Sequence, residues 1–390
     1  MNARRHIIIV GASQAGCACA SALRGFGFDG EITLLGDEPH RPYTRPPLSK
    51  GVLIGAASDD SVFLPALDDV SLLGGVAAVG LDRSRNVVEL AGGESLPYDG
   101  LVIATGSRAR RLNPAGGDSE LTVRTLDDAI GLRQRLGSAR EVTVAGGGFL
   151  GMEIASSAAS LGKSVTVVDG VSPLAGRLGS LLSGMLLDAA AEQGARVRVV
   201  SGGVTVGFEH GTPDRLLSAD GTLLAEADIV VTAVGDIPNT EWLHGSGVHL
   251  DGGVVVDDEC RVAPGIVGAG DVVSVRRADG RCVRSPHWSN ALSQARTAAA
   301  TLLGREPSGA AAAATPPFFW TEAFGLKVRL AGHLPPVGEP TVIDGSIADR
   351  RVLLAWRAAG QEQGFGTAAA VNYPMSAPKL AKLAQQVLAH

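Results

Sequence analysis

The chain carries one five-part pattern twice: a buried strand, a glycine-rich turn, a small-residue helix, a second strand and a carboxylate at that strand's end. The first copy runs from the strand at 6–10 (HIIIV) through Gly11, Ser13, Ala15 and Gly16 into a helix to Leu23, then along 31–35 (EITLL) to Gly36, Asp37 and Glu38. The second runs from 141–145 (EVTVA) through Gly146, Gly148, Phe149, Leu150 and Gly151, a helix from Met152 to Leu161, and the strand 164–168 to Asp169. A turn without bulky side chains lets backbone approach a pyrophosphate, and the helix N-terminus behind it offers unpaired N–H groups and a positive dipole end. The terminal carboxylate then lies where an adenosine ribose needs an acceptor. Ser13 stands in place of the middle glycine, which weakens the first copy taken singly; two complete copies are hard to obtain by accident.

Two dinucleotide sites point to FAD in one and a nicotinamide cofactor in the other, because hydride transfer needs two redox cofactors face to face. A third segment, 259–271, reads as a strand closing on Gly270 and Asp271, where a small residue and a carboxylate can sit against a flavin ribityl chain.

Composition bounds the rest. At 390 residues the chain is longer than a single core supports, so it divides into domains. A net charge of -6 without a basic block argues against nucleic acid as a partner. Apolar runs such as 7–10 and 310–314 fall far short of the ~20 residues that cross a bilayer, so no membrane association is expected. With no secretory signal before the first strand and only four cysteines, Cys17, Cys19, Cys260 and Cys282, a reducing cytoplasm is the expected location. Cys17 and Cys19 read as small-residue packing rather than redox groups.

Further segments carry a family resemblance: 42–50 (PYTRPPLSK), 101–106 (LVIATG), 124–128 (RTLDD), 235–240 (GDIPNT) and 319–322 (FWTE). With the glycine turns, they make the chain similar from about residue 5 to residue 380 to the FAD-dependent ferredoxin reductases that serve bacterial cytochromes P450 and ring-hydroxylating dioxygenases. The resemblance implies the fold of the pyridine nucleotide-disulphide oxidoreductases: an α/β chain with two Rossmann-like dinucleotide-binding domains, one for FAD and one for NAD, and a small C-terminal α+β domain. Residues 1–110 and 245–312 would form a discontinuous FAD domain, 111–244 the NAD(P) domain and 316–390 the C-terminal domain. The Ala-rich stretch 309–314 reads as a connector, and a helix is expected from Ala377 to Leu388.

Matched by position, Ala15, Asp37, Lys50, Arg124, Asp271 and Trp288 resemble the family's FAD contacts, and Gly151, Glu153 and Asp169 its NAD contacts. The wider set of expected cofactor contacts takes in Gly11, Ser13, Gly16, Glu38, Arg45, Ala78, Ala104, Thr105, Gly106, Gly148, Phe149, Leu150, Arg177, Gly235, Gly270 and Trp320. The chain departs from the family at Ser13, at Thr321 and Glu322, where Ser-Asp is more familiar, and at Pro286-His287-Trp288.

The chemistry implied is direct hydride transfer from NADH to FAD, and single electrons onward to an iron-sulfur ferredoxin. Lys50, helped by a helix dipole beginning near Ser289, would stabilise reduced flavin, Glu153 would orient the nicotinamide carboxamide, and the two rings would meet between Lys50 and Glu153. For Glu153 the plainer reading is a helix-start carboxylate. Asp169 would accept from a ribose 2′-hydroxyl and repel the phosphate of NADP, favouring NADH over NADPH, with Arg177 keeping NADPH open. Arg276, Arg277, Arg281, Arg284, Arg296 and Lys327 are expected near the exposed flavin edge, with Arg296 and Lys327 as candidate docking residues for an acidic ferredoxin. Alternatives on the same fold are an NADH oxidase, a quinone or nitrite-type reductase, and a flavin-bound signalling protein resembling apoptosis-inducing factor. A disulphide-reducing enzyme is disfavoured, since no C-x-x-C occurs and 43–50 contains no cysteine.

Overall fold

The computed structural model describes residues 5–113, 120–209, 212–306, 316–357 and 366–387. The expected connector at 309–314 lies outside the described residues, as does Leu388. The first part of the chain runs through β1 (His6–Val10), α1 (Gln14–Gly25), β2 (Glu31–Gly36), β3 (Ser71–Gly74) and β4 (Gly100–Ile103). The middle runs through α2 (Leu126–Ser138), β5 (Glu141–Ala145), α3 (Phe149–Ser160), β6 (Ser164–Asp169), α4 (Ala175–Glu192), β7 (Arg196–Val199) and β8 (Ile229–Thr232). The remainder holds β9 (Arg261–Ala263), β10 (Ile266–Gly268), α5 (Trp288–Leu302), β11 (Phe318–Ala323), β12 (Leu326–Ala331), β13 (Thr341–Ser346), β14 (Arg351–Trp356), β15 (Thr367–Val371) and α6 (Ala377–Gln386). This is a mixed α/β chain that separates into two compact units.

Unit one comprises 1–44, 62–108 and 237–313. Its main sheet has the order β9-β10-β4-β1-β2-β3, with β1 parallel to both β2 and β4. Ile7 to Val10 are all buried, which is why this strand reads as a continuous apolar run: a parallel strand covered on both faces has no side to leave polar. One covering layer comes from α1 and α5, whose buried Ala15, Cys17, Cys19 and Ala20 share a core cluster with Ala291, Ala295, Ala298 and Ala299. Small side chains let the two helices approach closely, which accounts for the Ala-rich composition of both. The segment expected as one strand over 259–271 is instead a hairpin, β9 antiparallel to β10. Pro264 withholds an N–H and Gly265 turns the chain at φ 71°.

Unit two comprises 45–61, 109–236 and 314–390. Its first sheet, β7-β6-β5-β8, is parallel throughout. The helix expected from Met152 begins earlier, at Phe149, because Gly148 serves as its N-cap. The second sheet, β11-β12-β15-β14-β13, is antiparallel throughout and carries α6 through Leu380 and Ala384 against Ala331, Leu353, Ala368 and Ala370. The segment 45–61 belongs to this unit. Arg133 of α2 grips it with a two-pronged pair to Asp59 (2.7 and 2.9 Å) and a bond to the Val52 carbonyl (3.0 Å), and Arg45 donates to the Arg124 carbonyl (2.5 Å).

Candidate functional site

In unit one the carboxyl end of β1 meets the start of α1 in a cradle with no room for side chains. Gly11 has φ 120°, and a Cβ there would lie 2.1 Å from the Ala104 carbonyl oxygen; one on Gly16 would lie 1.9 Å from that of Gly11. Ser13 is the N-cap of α1, yet its side chain makes no capping bond, so the first-turn N–H groups stay available. Gln14 Oε1, at the first helical position, is buried without a hydrogen-bond partner. Open helical N–H groups and a backbone cradle without room for side chains together fit a bound pyrophosphate.

The other motifs of unit one converge on this cradle. Gly270, at φ 84°, packs so closely on α1 that a Cβ would lie 2.8 Å from that of Ala15, and its N–H donates to Gln294 Oε1 (2.9 Å). Thr105 Oγ1 donates to the Asn239 carbonyl (2.7 Å) and Asn239 Nδ2 returns a bond to the Thr105 carbonyl (2.9 Å), tying 101–106 to 237–240; the Gly106 carbonyl accepts the Asn239 N–H (3.0 Å). Past β2, Asp37 is exposed, whereas half-buried Glu38 accepts from the Tyr43 hydroxyl. Ala78 is half-buried against an apolar cluster that includes Val10 and Leu35. The carbonyl of half-buried Asp271 accepts from Arg284 Nε (3.1 Å) and Nη2 (2.8 Å). Trp288 opens α5 and is 37% exposed, with His287 as N-cap accepting from the Ser289 N–H (3.3 Å). Burial pushes the His287 imidazole down to about 4, against the opposing pull of the Asp271 carboxylate.

Unit two repeats the cradle. Gly146 has φ 106°; a Cβ there would lie 2.4 Å from the Ala233 carbonyl oxygen, and one on Gly151 would lie 1.8 Å from that of Gly146. A Cβ on exposed Gly148 would meet nothing within 4 Å, which leaves open space directly before the N–H groups of half-buried Phe149 and Leu150. Asp169 turns back onto the loop: Oδ2 accepts the Gly147 N–H at 2.6 Å and Oδ1 the Val171 N–H at 3.2 Å. Val171 and Val199 stand 65% and 57% exposed at the carboxyl ends of β6 and β7, Val199 directly across from Asp169. Arg177 is exposed in the first turn of α4; Gly235 is exposed at φ 101°, and its carbonyl accepts the Arg110 N–H (3.0 Å).

The same unit holds a buried polar cluster. Lys50 Nζ lies 2.7 Å from Glu153 Oε2, with side chains 23% and 9% exposed. The two residues between which the cofactor rings were expected to meet are in direct contact and form one charge pair. Glu153 lies beyond the first turn of α3, which removes the helix-start reading. Its Oε2 also accepts from Ser49 Oγ (2.7 Å) and its Oε1 from Thr321 Oγ1 (2.9 Å). Arg124 N donates to Asp128 Oδ2 (2.8 Å), within the capping box that starts α2.

Among the aromatic and basic residues, Trp320 stacks on Phe318 at 6.0 Å. Lys327 pairs with Glu322 (3.6 Å), and the exposed Arg296 guanidinium lies over the Phe26 ring at 5.2 Å. Cys17, Cys19 and Cys260 are buried, and burial drives each thiol up to about 12, which leaves them without thiolate chemistry. No helix among the described residues is long and apolar enough to cross a membrane.

Sequence reasoning missed Ser49, Thr321, Val171 and Val199 as site residues. Thr321 had a signal, since β11 alternation buries it between half-exposed Trp320 and Glu322. The valines had none, because exposure of an apolar residue is set by tertiary structure.

The pyridine nucleotide-disulphide oxidoreductase family pattern matches residues 5–298. Putidaredoxin reductase CamA of Pseudomonas putida is 34% identical over 365 residues, covering 89% of this chain and 85% of the relative. The ferredoxin reductase component of chlorobenzene dioxygenase from Cupriavidus sp. (strain PS12) is 35% identical over 364 residues, covering 90% and 85%. Among solved structures, the covalent putidaredoxin reductase-putidaredoxin complex superposes with a TM-score of 0.85 at 30% identity, covering 100% of this chain and 94% of the other.

Proposed function

The chain belongs to the pyridine nucleotide-disulphide oxidoreductase family, and from that premise we propose that it is a ferredoxin reductase that takes a hydride from NADH onto FAD and passes single electrons to an iron-sulfur protein. The observation that carries this reading is repetition: one glycine cradle at the carboxyl end of a parallel strand is built twice, on Gly11 and on Gly146. The finer layout we propose is an FAD-binding domain at 1–110 and 245–312, an NAD-binding domain at 111–244 and a C-terminal α+β domain at 316–390.

In the first cradle, Gly11, Ser13, Ala15 and Gly16 would hold the FAD pyrophosphate, with Glu38 and Asp37 toward the ribose and Gly270 and Asp271 toward the ribityl chain. In the second, Gly148 to Gly151 would hold the NADH pyrophosphate. Asp169 would accept from the adenosine ribose and repel a 2′-phosphate while the faces of Val171 and Val199 cover the adenine, a setting that favours NADH over NADPH. Bound FAD accepts two electrons as hydride and releases them one at a time, which matches a nicotinamide donor to a one-electron iron-sulfur acceptor. Lys50 places a cation that stabilises negative charge developing on reduction, and Glu153 fixes where that cation sits. Arg296 and Lys327 would offer positive charge to an acidic ferredoxin.

A stopped-flow experiment tests the reading. The yellow protein mixed with NADH should bleach, and oxidised ferredoxin should restore the colour under anaerobic conditions. Recovery only on admitting air would point to an oxidase instead.

A further inference from the structure

We propose that Thr321 and Ser49 are positioning residues that clamp the Glu153 carboxylate from two sides, so that the C-terminal sheet supplies a hydroxyl to the Lys50–Glu153 pair; this rests on the function proposed above. A carboxylate offers two oxygens and about four lone-pair directions. Glu153 is 8% exposed, and its acceptors are taken up from three sources: Lys50 Nζ and Ser49 Oγ on Oε2, both at 2.7 Å, and Thr321 Oγ1 on Oε1 at 2.9 Å. Lys50 alone cannot set the plane of that carboxylate, because an ammonium is a point charge on a flexible four-carbon stem. Two short hydroxyl donors on rigid elements can.

Both donors are themselves anchored to α3. Ser157 Oγ donates to the Ser49 carbonyl at 2.7 Å, which fastens the turn Pro46–Ser49 to the helix bearing Glu153. Phe324 N donates to Ser156 Oγ at 2.7 Å, which fastens the end of β11 to the same helix. Thr321 is 1% exposed, so its bond to Oε1 does not compete with water. With the carboxylate plane fixed, the Lys50 ammonium has one position, and the charge it presents on reduction is pre-organised.

Thr321→Val keeps the shape and removes the donor, and Thr321→Ser restores it. The limiting rate of flavin bleaching by NADH should fall about tenfold in T321V, within the range a hydrogen bond to a charged group supports. The flavin midpoint potential should shift with it, while T321S stays within about threefold of the unsubstituted rate and keeps its potential. Wild-type rate and potential in T321V, or failure of T321S alongside T321V, would overturn the clamp in favour of packing. Should T321V not fold, Ser49→Ala removes the donor to the other oxygen and should give the same signature; unchanged rate and potential there would equally refute the clamp. A thermal double-mutant cycle reads the bond without NADH: T321V should lower the melting temperature in the unsubstituted protein but little further in a Glu153→Ala background. Additive losses would sink the clamp. An unsubstituted protein that NADH fails to bleach would instead sink the proposed function, and the cycle would still decide the clamp.

Discussion

Asp169 Oδ2 accepts the Gly147 N–H at 2.6 Å, so the carboxylate that closes the second strand-turn-helix unit also pins the glycine turn that opens it. In the proposed function one residue would thereby serve both the loop that receives the pyrophosphate and the ribose. The two roles separate by substitution. Asp169→Asn keeps an acceptor for Gly147 and removes the charge, so affinity for NADH should fall while affinity for NADPH holds or rises. Asp169→Ala loses both roles and should weaken both cofactors, NADH by a further factor of about ten. Fluorescence titration of each variant with both nucleotides checks this, and equal losses for both nucleotides in D169N would remove the specificity argument.

Gly151→Ala places a Cβ 1.8 Å from the Gly146 carbonyl oxygen, an overlap that backbone must relieve. Overpacking of this kind costs about 1–3 kcal/mol and here displaces the turn itself. The variant should remain yellow and lose bleaching by NADH. Gly16→Ala, with its contact of 1.9 Å to the Gly11 carbonyl oxygen, should be purified colourless. Absorbance of the purified proteins followed by NADH mixing distinguishes the two.

Lys50→Met strips the cationic partner from Glu153, a carboxylate 9% exposed that keeps its two hydroxyl donors. Leaving a largely buried charge unpaired should cost about 3 kcal/mol, and adding Glu153→Gln should recover most of it. Denaturant unfolding of the single and double variants measures the recovery. With Lys50 in its proposed role, the flavin midpoint potential of K50M should also drop, since removing that cation disfavours the reduced, more negative form.

The His287 imidazole, held down to about 4 by burial, gives stability a defined pH dependence. The unfolded chain takes up a proton near the ordinary value of 6.5 and the folded chain does not, so this contribution is complete above about 6.5 and is lost as pH falls toward about 4. His287→Asn retains a side-chain acceptor for the Ser289 N–H and should flatten that part of a melting-temperature profile. A profile between pH 4 and 6.5 with the same slope in both proteins would assign the loss to other groups.

The paired glycine turns were legible from the sequence because their constraint is local: a positive φ at Gly11 and Gly146, and contacts under 2 Å for any Cβ at Gly16 or Gly151, exclude other residues whatever surrounds them. The hairpin within 259–271 was less so, since Pro264 and Gly265 interrupt a run whose apolar pattern looks continuous.

What the sequence determined by itself was therefore the strand, turn and helix grammar of both cradles, and the small-residue character of α1. Tertiary structure alone decided that 45–61 joins unit two, that Lys50 and Glu153 meet at 2.7 Å, and that a threonine from β11 completes the carboxylate's partners. The reason is range. Backbone conformation and close packing of a turn are written in adjacent residues, whereas a buried carboxylate takes its donors from whichever elements folding brings against it, however distant in the chain.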